Sequence, residues 1–450
     1  MSLSLQHGKQ RWLLWFLIPL IAFLWFWFWR AHQWTGGDSE QWEREIHGGV
    51  WLRKRQMLPF GFMQATYQIT NRLMGWPAFR AINFISCLSG AVAMLACWRH
   101  FHDRRDAYWA IAIIGSAGFT TIFYGHIETY AQPVAALLFH FLALRRYLQN
   151  RWPLWSVTAT FSLVVWFHLV ILYALPVLLL AIGFSYREKP FERKEIFRLI
   201  LSLAPIGLLL IIFKFTNWGK GEFIGPHFIV PFKELMRRPW VMFTHRHLAT
   251  KFWFFVWNGG IAGALGLGIF VRSINRKGRI SFILWLFLYF LCFMVFTLVW
   301  NPDAGIRDFD LFCFPWVVAV LAFAEEAMTL PLRSIVIGLA LGFNIFLFLT
   351  RTVVFADLEN RHYGAIDISM AQGTDQFFIL MDQRKKLSER NDFVPTGSHE
   401  IVVVPTLKNW RCAINVKKGE RYLFEFDGEN FQFKGRESQT KRFIRIKAFK

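Results

Sequence analysis

Apolar residues along this chain gather in runs close to the ~20 residues that a helix needs to cross a ~30 Å hydrocarbon core. The runs recur from Arg11 to Leu349. About eleven spans are predicted, over residues 11–29, 81–98, 107–124, 129–145, 153–167, 169–184, 197–215, 252–271, 281–299, 312–327 and 332–350. The first closes on Trp25-Phe-Trp-Phe-Trp29-Arg30, an aromatic girdle followed by a cation, as expected at a membrane–water boundary. It is long, aromatic and without a small-residue cleavage site, so it reads as a span and not as a removed signal peptide.

Basic short loops set the expected sidedness. Lys9 and Arg11 precede the first span, and Arg99, Arg104 and Arg105 follow the second. Arg145, Arg146 and Arg151, then Arg187 to Arg198, then Arg272 to Arg279 follow later spans. All belong on the cytoplasmic side by the Lys/Arg bias. The run Pro153 to Phe184 is basic at both flanks, so it must cross an even number of times, with His168 at its outer turn. Each half is then only ~15 residues, or ~22 Å, a length tolerated where an element lines a protein cavity. Residues 31–80 are predicted outside although they carry Arg53, Lys54, Arg55 and Arg72. Trp51, Leu52, Met57, Leu58, Phe60 and Phe62 are interleaved there, as in interfacial helices lying on the outer leaflet. A cytoplasmic placement of this loop is the competing parity.

After Thr350 the apolar runs stop. Ile401-Val-Val-Val-Pro405, Tyr422-Leu-Phe-Glu-Phe426 and Phe443-Ile-Arg-Ile-Lys447 alternate with turn residues and predict short strands. The expected fold is therefore an all-α polytopic transmembrane bundle over 1–350, followed by a small soluble β or α/β domain over 351–450 on the outer face. The amino terminus is expected in the cytoplasm.

Composition sharpens this picture. The 450 residues are 55% hydrophobic and 18% aromatic, with 50 Phe and 22 Trp, which excludes an ordinary soluble domain. A net charge of +21 would suit nucleic acid in a soluble protein, but here basic loops and anionic lipid account for it, and no nucleic-acid partner is expected. Of the five cysteines, Cys87, Cys97, Cys292 and Cys313 lie in or beside apolar runs and Cys412 stands alone, without disulfide or zinc spacing.

Under this topology five polar groups share the outer side. They are Gly37-Asp38-Ser39-Glu40 with Glu43 and Glu45, Tyr124-Gly-His126-Ile-Glu128-Thr-Tyr130, and His168 between the half-spans. The others are His227 with His245-Arg246-His247, and Arg307-Asp308-Phe-Asp310. Each has a plain structural explanation: a helical hairpin cap at His126 and Glu128, a hydrogen-bonded buried His168, or an Arg307 ion pair with Asp308 and Asp310. Their common side is the stronger signal, because ionisable groups at a membrane boundary usually face a water-filled interior and mark function. The Arg307 guanidinium suits bidentate contact to a phosphate. No Walker loop, dinucleotide fingerprint or nucleophile elbow is present. A divalent metal is an open option: Asp38, Glu40, His126 and Glu128 supply ligand atoms, but no spacing specifies a site.

The acidic Gly37-Asp38-Ser39-Glu40 motif in a long first outer loop with amphipathic helices, the many spans and the soluble carboxy-terminal domain resemble the GT-C superfamily of membrane glycosyltransferases. The resemblance covers residues 1–350. It implies transfer of a sugar from a polyprenyl-phosphate donor to a glycan, lipid or protein acceptor, in the manner of a mannosyltransferase of the cell envelope and with inversion. It implies Asp38 as catalytic base. Ser39 separates Asp38 from Glu40 where many members pair two acids directly, so the second acid is left open. Arg307, His245, Arg246, His247, Arg53, Lys54 and Arg55 would then attend the donor phosphate. His126, Glu128, Tyr130, His168, Asp308 and Asp310 would line the substrate cavity. A lipid or solute transporter and a non-catalytic scaffold remain as other classes. A transporter would more often show internal repeats, which this chain lacks.

Overall fold

The computed structural model describes residues 2–30, 42, 45–51, 53, 56–104, 106–215, 245–274, 281–299, 310–330 and 332–350. Beyond those it describes 363–370, 378–381, 385–387, 392–395, 397–404, 411–417, 420–426 and 431–438. Asp38, Glu40, Lys54, Arg55, Arg307 and Asp308 lie outside the described residues, as does the strand expected at 443–447. The chain divides into two compact units, Met1–Leu349 and Thr350–Lys450.

The first unit is helical. In chain order its helices are α1 (Ser2–Phe28), α2 (Met57–Met74), α3 (Ala78–Phe101), α4 (Ala107–Ser116) and α5 (Ala131–Leu148). They continue with α6 (Leu154–Phe167), α7 (Leu175–Glu188), α8 (Arg193–Phe215), α9 (His245–Asn258) and α10 (Gly260–Ile274). The last are α11 (Phe282–Val299), α12 (Phe314–Glu326) and α13 (Arg333–Leu347). Among the described residues four helical segments are long and apolar enough to cross a membrane: Ala78–Phe101, Leu169–Glu188, Phe282–Val299 and Arg333–Thr350. A fifth arises if the bent pair α9–α10 is one span. Leu14–Phe28, Ala107–Ser116 and Leu154–Phe167 are apolar but shorter. The chain is a multi-pass membrane protein, and the count of about eleven is not reproduced among these residues.

The departures from the expected spans have local causes. The run 107–124 is not one helix: α4 stops at Ser116 and Gly118–Phe123 forms a 3-10 turn. There the hydroxyls of Thr120 and Thr121 donate back to the carbonyls of Ala117 and Gly118, both at 2.7 Å, competing with α-helical bonding. The run 252–271 is also not one helix. It bends by 101° between α9 and α10, where Gly260 takes φ +54 beneath the Phe343 ring. The break read at His168 is present. It is extended at φ −160, ψ 127 between α6 and a 3-10 turn over Leu169–Ala174.

α3 is the core of the bundle. It packs against α1, α2, α4 and α5, and Ser86, Ser89, Gly90, Ala93 and Ala96 are buried along it. Small residues permit such close helix packing in lipid, where the hydrophobic effect gives no drive between helices. α3, α5 and α12 also share an ion network at their carboxy-terminal ends. Glu325 of α12 accepts from Arg104 at 2.7 Å and pairs with Arg145 of α5 at 3.2 Å and with His100 of α3. Beside it Asp103 accepts from Arg146 and Arg151. Burial pushes the Asp103 carboxyl up, but the hydrogen bond from Arg151, the charge of His102 and Arg146 outweigh it and hold the group below the usual carboxylate range. Removing a partner of Glu325, whose side chain is 9% exposed, strands a charge, so the network ties three helix ends together.

The second unit is all-β among its described residues. Eight strands, β1 (Tyr363–Met370), β2 (Phe378–Met381), β3 (Lys385–Leu387), β4 (Asp392–Pro395), β5 (Gly397–Val404), β6 (Arg411–Val416), β7 (Glu420–Phe426) and β8 (Phe431–Ser438), form two four-stranded sheets, ordered β4-β1-β7-β8 and β3-β2-β5-β6. The strand expected at 422–426 falls within β7, and β5 covers 401–404 of the strand expected at 401–405. β1 (Tyr363–Met370) runs parallel to β7, from Ala365 opposite Arg421 to Met370 opposite Phe426. Tyr422 closes the turn before β7 by donating to the Asn415 carbonyl at 2.9 Å and accepting from the Lys417 N–H at 3.0 Å.

Candidate functional site

The site forms at the amino-terminal ends of α3, α5 and α12, about 25 Å along α3 from the His100 network at 1.5 Å per residue. A turn over residues 124–130 brings His126 and Glu128 there. Two side chains of α3 strap it down: Asn83 donates to the Gly125 carbonyl, and Ser86 donates to the Ile122 carbonyl at 2.5 Å. Trp25 of α1 donates to the Tyr124 hydroxyl at 2.8 Å. Gly125 sits at φ +70, and a Cβ there would lie 2.8 Å from Arg30 Cβ and 3.2 Å from Asn83 Nδ2. Gly125→Ala therefore meets both a left-handed backbone penalty of about 1–2 kcal/mol and a clash. It is expected to lower the melting temperature and to weaken any ligand binding at His126 and Glu128. An unchanged melting curve would mean the turn has no fixed shape.

Asp310 completes the centre from just before α12. His126, Glu128 and Asp310 are 4%, 5% and 4% exposed, and one ligand atom from each lies within 4.8 Å of the others. His126 Nε2 meets Asp310 Oδ2 at 2.9 Å. Each carboxylate is oriented by an N–H on one oxygen. The Trp42 indole donates to Glu128 Oε2, and the Leu311 backbone N–H donates to Asp310 Oδ1 at 2.8 Å. An imidazole nitrogen and two oriented carboxylates suit a divalent cation of the zinc, manganese or magnesium type, and the indole and backbone N–H groups are the supports such ligands require. The fit is to these three residues. Of the four named from sequence as metal ligands, His126 and Glu128 take part and Asp38 and Glu40 are not described.

The other expected site residues divide. His168 is 4% exposed; its Nδ1 accepts from the Val170 N–H at 3.1 Å and its Nε2 faces Gln56 Nε2 at 3.2 Å. The Tyr130 ring lies 5.1 Å from the His168 ring, so both join this neighbourhood. Arg53 is paired with Glu45 at 2.7 Å and its guanidinium lies 4.2 Å from the Trp42 ring. Its charge thus supports the indole that orients Glu128. His245, Arg246 and His247 form the first turn of α9, not a loop before it, and their side chains are not among those described.

Three residues escaped the sequence reading. Trp42 and Gln56 make their contacts across 86 and 112 positions, which no local pattern reveals. Lys251, 8% exposed, places its ammonium 4.0 Å from the Phe312 ring and 5.4 Å from the Phe254 ring, two residues from Asp310. A single lysine immediately before the aromatic run Phe252-Trp-Phe-Phe was the available signal.

No protein-family model matches the sequence, and no curated protein matches it. Solved structures do. ArnT from Cupriavidus metallidurans bound to undecaprenyl phosphate is 13% identical with a TM-score of 0.44, covering 72% of this chain and 61% of ArnT. Its apo state gives 14% identity and a TM-score of 0.43, covering 73% and 61%. The Archaeoglobus fulgidus oligosaccharyltransferase tethered to an acceptor peptide gives 14% identity and a TM-score of 0.45, covering 76% of this chain and 55% of that one. The chain thus spans about three fifths of the length of these neighbours.

Proposed function

We propose that this chain is a membrane glycosyltransferase of GT-C type that moves a sugar from a polyprenyl-phosphate carrier to an acceptor at the outer face. The observation that carries the reading is the buried centre of His126, Glu128 and Asp310, built at one end of a bundle whose helices are apolar enough to cross a membrane. Buried carboxylates are costly unless paired or metal-bound, so their assembly there marks function.

In this reading an acceptor hydroxyl attacks the anomeric carbon. A glycosidic bond forms, the bond from that carbon to the phosphate oxygen breaks, and the phosphate leaves with the electron pair. Asp38 takes the acceptor proton, a role worth roughly 10²–10⁴-fold. One displacement gives inversion. Glu40 is the second candidate acid. Arg307 and Lys251 offset the charge of the leaving phosphate, with His245, Arg246 and His247 on the first turn of α9 as further donors. A divalent cation held by His126, Glu128 and Asp310 would supply Lewis-acid neutralisation of that phosphate. Pro176, Leu179, Leu180, Gly183, Phe184 and Arg187 line an apolar groove along α7, which supports a seat for the prenyl chain. The Lys/Arg bias of the short loops supports an outer position for this face, with the amino terminus in the cytoplasm and the carboxy-terminal unit outside.

The test uses the purified full chain in nanodiscs with mannosyl and glucosyl polyprenyl phosphates and an envelope extract as acceptor. Release of sugar-free polyprenyl phosphate is expected, lost with a chelator and restored by Mn²⁺. A protein that carries the intact lipid between leaflets without cleaving it would be a transporter, and the proposal would fall.

A further inference from the structure

Beside the carboxylate centre lies a set of buried, uncharged polar side chains that the proposed chemistry does not use. Gln56, Thr129 and Gln132 are 5%, 0% and 5% exposed. Among the described residues, Gln56 Oε1, Thr129 Oγ1 and both amide atoms of Gln132 have no hydrogen-bond partner. Natural proteins leave few such atoms, and each calls for an explanation.

The three are tied to one place. Thr129 follows Glu128 directly, and Gln132 stands on the first turn of α5. Tyr130, between them, lays its ring 5.1 Å from His168, whose Nε2 is 3.2 Å from the Gln56 amide. Because His168 Nδ1 accepts from the Val170 N–H, the neutral ring carries its proton on Nε2. The Gln56 amide therefore meets that proton best with its oxygen, which turns its NH₂ away from His168.

We propose that Gln56, Thr129 and Gln132 are a recognition subsite for the hydroxyl groups of a neutral sugar, placed next to the His126–Glu128–Asp310 centre; this rests on the donor reading above. The chemistry selects that ligand class. Two amides and a hydroxyl offer donors and acceptors together and no charge. A phosphate would call for cations, and a prenyl chain would leave every one of these atoms unsatisfied. A sugar hydroxyl both donates and accepts, so a ring bearing several can pair with all of them. Sites built in this way reject analogues lacking the hydroxyl, because their own buried polar atoms are then left unpaired.

The test compares the parent with Gln132→Met and Thr129→Val, as full chains in nanodiscs. Affinity is measured for mannosyl and glucosyl polyprenyl phosphates and for polyprenyl phosphate alone, and the melting temperature is recorded without lipid. The parent should prefer a sugar-bearing lipid. Each variant should lose roughly tenfold of that preference, as for loss of about one hydrogen bond, while binding the sugar-free lipid as the parent does. Without lipid the variants should melt at or above the parental temperature, because removing an unsatisfied polar atom removes a cost of the unliganded state. Melting several degrees lower would make these residues structural and overturn the subsite, whatever the lipids do. Retained preference in both variants, or a parent that binds both lipids equally, would overturn the subsite and leave a lipid-phosphate site standing. A parent that binds neither lipid would overturn the donor reading, and the assignment of this subsite to a donor sugar with it.

Discussion

Asp310→Ala is expected to damage both stability and chemistry. The carboxylate is buried against His126, and leaving a buried polar partner unsatisfied typically costs about 1–3 kcal/mol. The same change removes one of three clustered ligand atoms, and the loss of charge stabilisation at the reacting phosphate should lower turnover by roughly 10²–10³-fold. Asp310→Asn separates the two effects. Its oxygen still accepts from the Leu311 N–H, and its NH₂ can donate to His126 Nε2, so the fold should survive while the ligand charge is gone. A ligand that binds only the folded state stabilises it by about 2.7 kcal/mol at a hundred times its dissociation constant. Added Mn²⁺ should therefore raise the melting temperature of the parent and leave that of Asp310→Asn unmoved. An equal rise in both proteins would exclude Asp310 as a ligand.

Asp38→Asn should act on the chemical step alone. The substitution keeps shape and hydrogen bonding but removes the base, so turnover should fall by roughly 10²-fold or more with donor binding intact. Two glycines precede Asp38 and add no bulk around the carboxylate. Glu40→Gln should cost less, since Glu40 lies two residues further on in the sequence. A greater loss in Glu40→Gln would move the role to Glu40. Loss of donor binding in Asp38→Asn would make Asp38 a binding or metal residue.

The parts of this centre that could be read from sequence are those marked by cost. His126, Glu128 and Asp310 stand out because ionisable groups at the ends of apolar runs are expensive to keep, and His168 because basic flanks demanded a break there. What could not be read is pairing. Nothing local tells that Trp42 orients Glu128, that Gln56 meets His168, or that Arg53 is paired with Glu45 and lies against Trp42. Hydropathy alone also cannot place a helix break. The back-bonding threonines at 120 and 121 and the bend at Gly260 sit inside runs as apolar as an unbroken span. Two strands of the second unit, at 401–405 and 422–426, were legible from short apolar runs between turn residues, but the sheet order, with β1 beside β7 in parallel, depends on contacts far apart in sequence.

The most direct measurement is a density map of the full chain in nanodiscs with polyprenyl phosphate bound. The account predicts phosphate density beside the His126–Glu128–Asp310 centre, within reach of Arg307 and Lys251, with the prenyl chain leaving toward α7. Phosphate density at the opposite helix ends, among Arg104, Arg145 and Arg146, with none at the carboxylate centre, would contradict it.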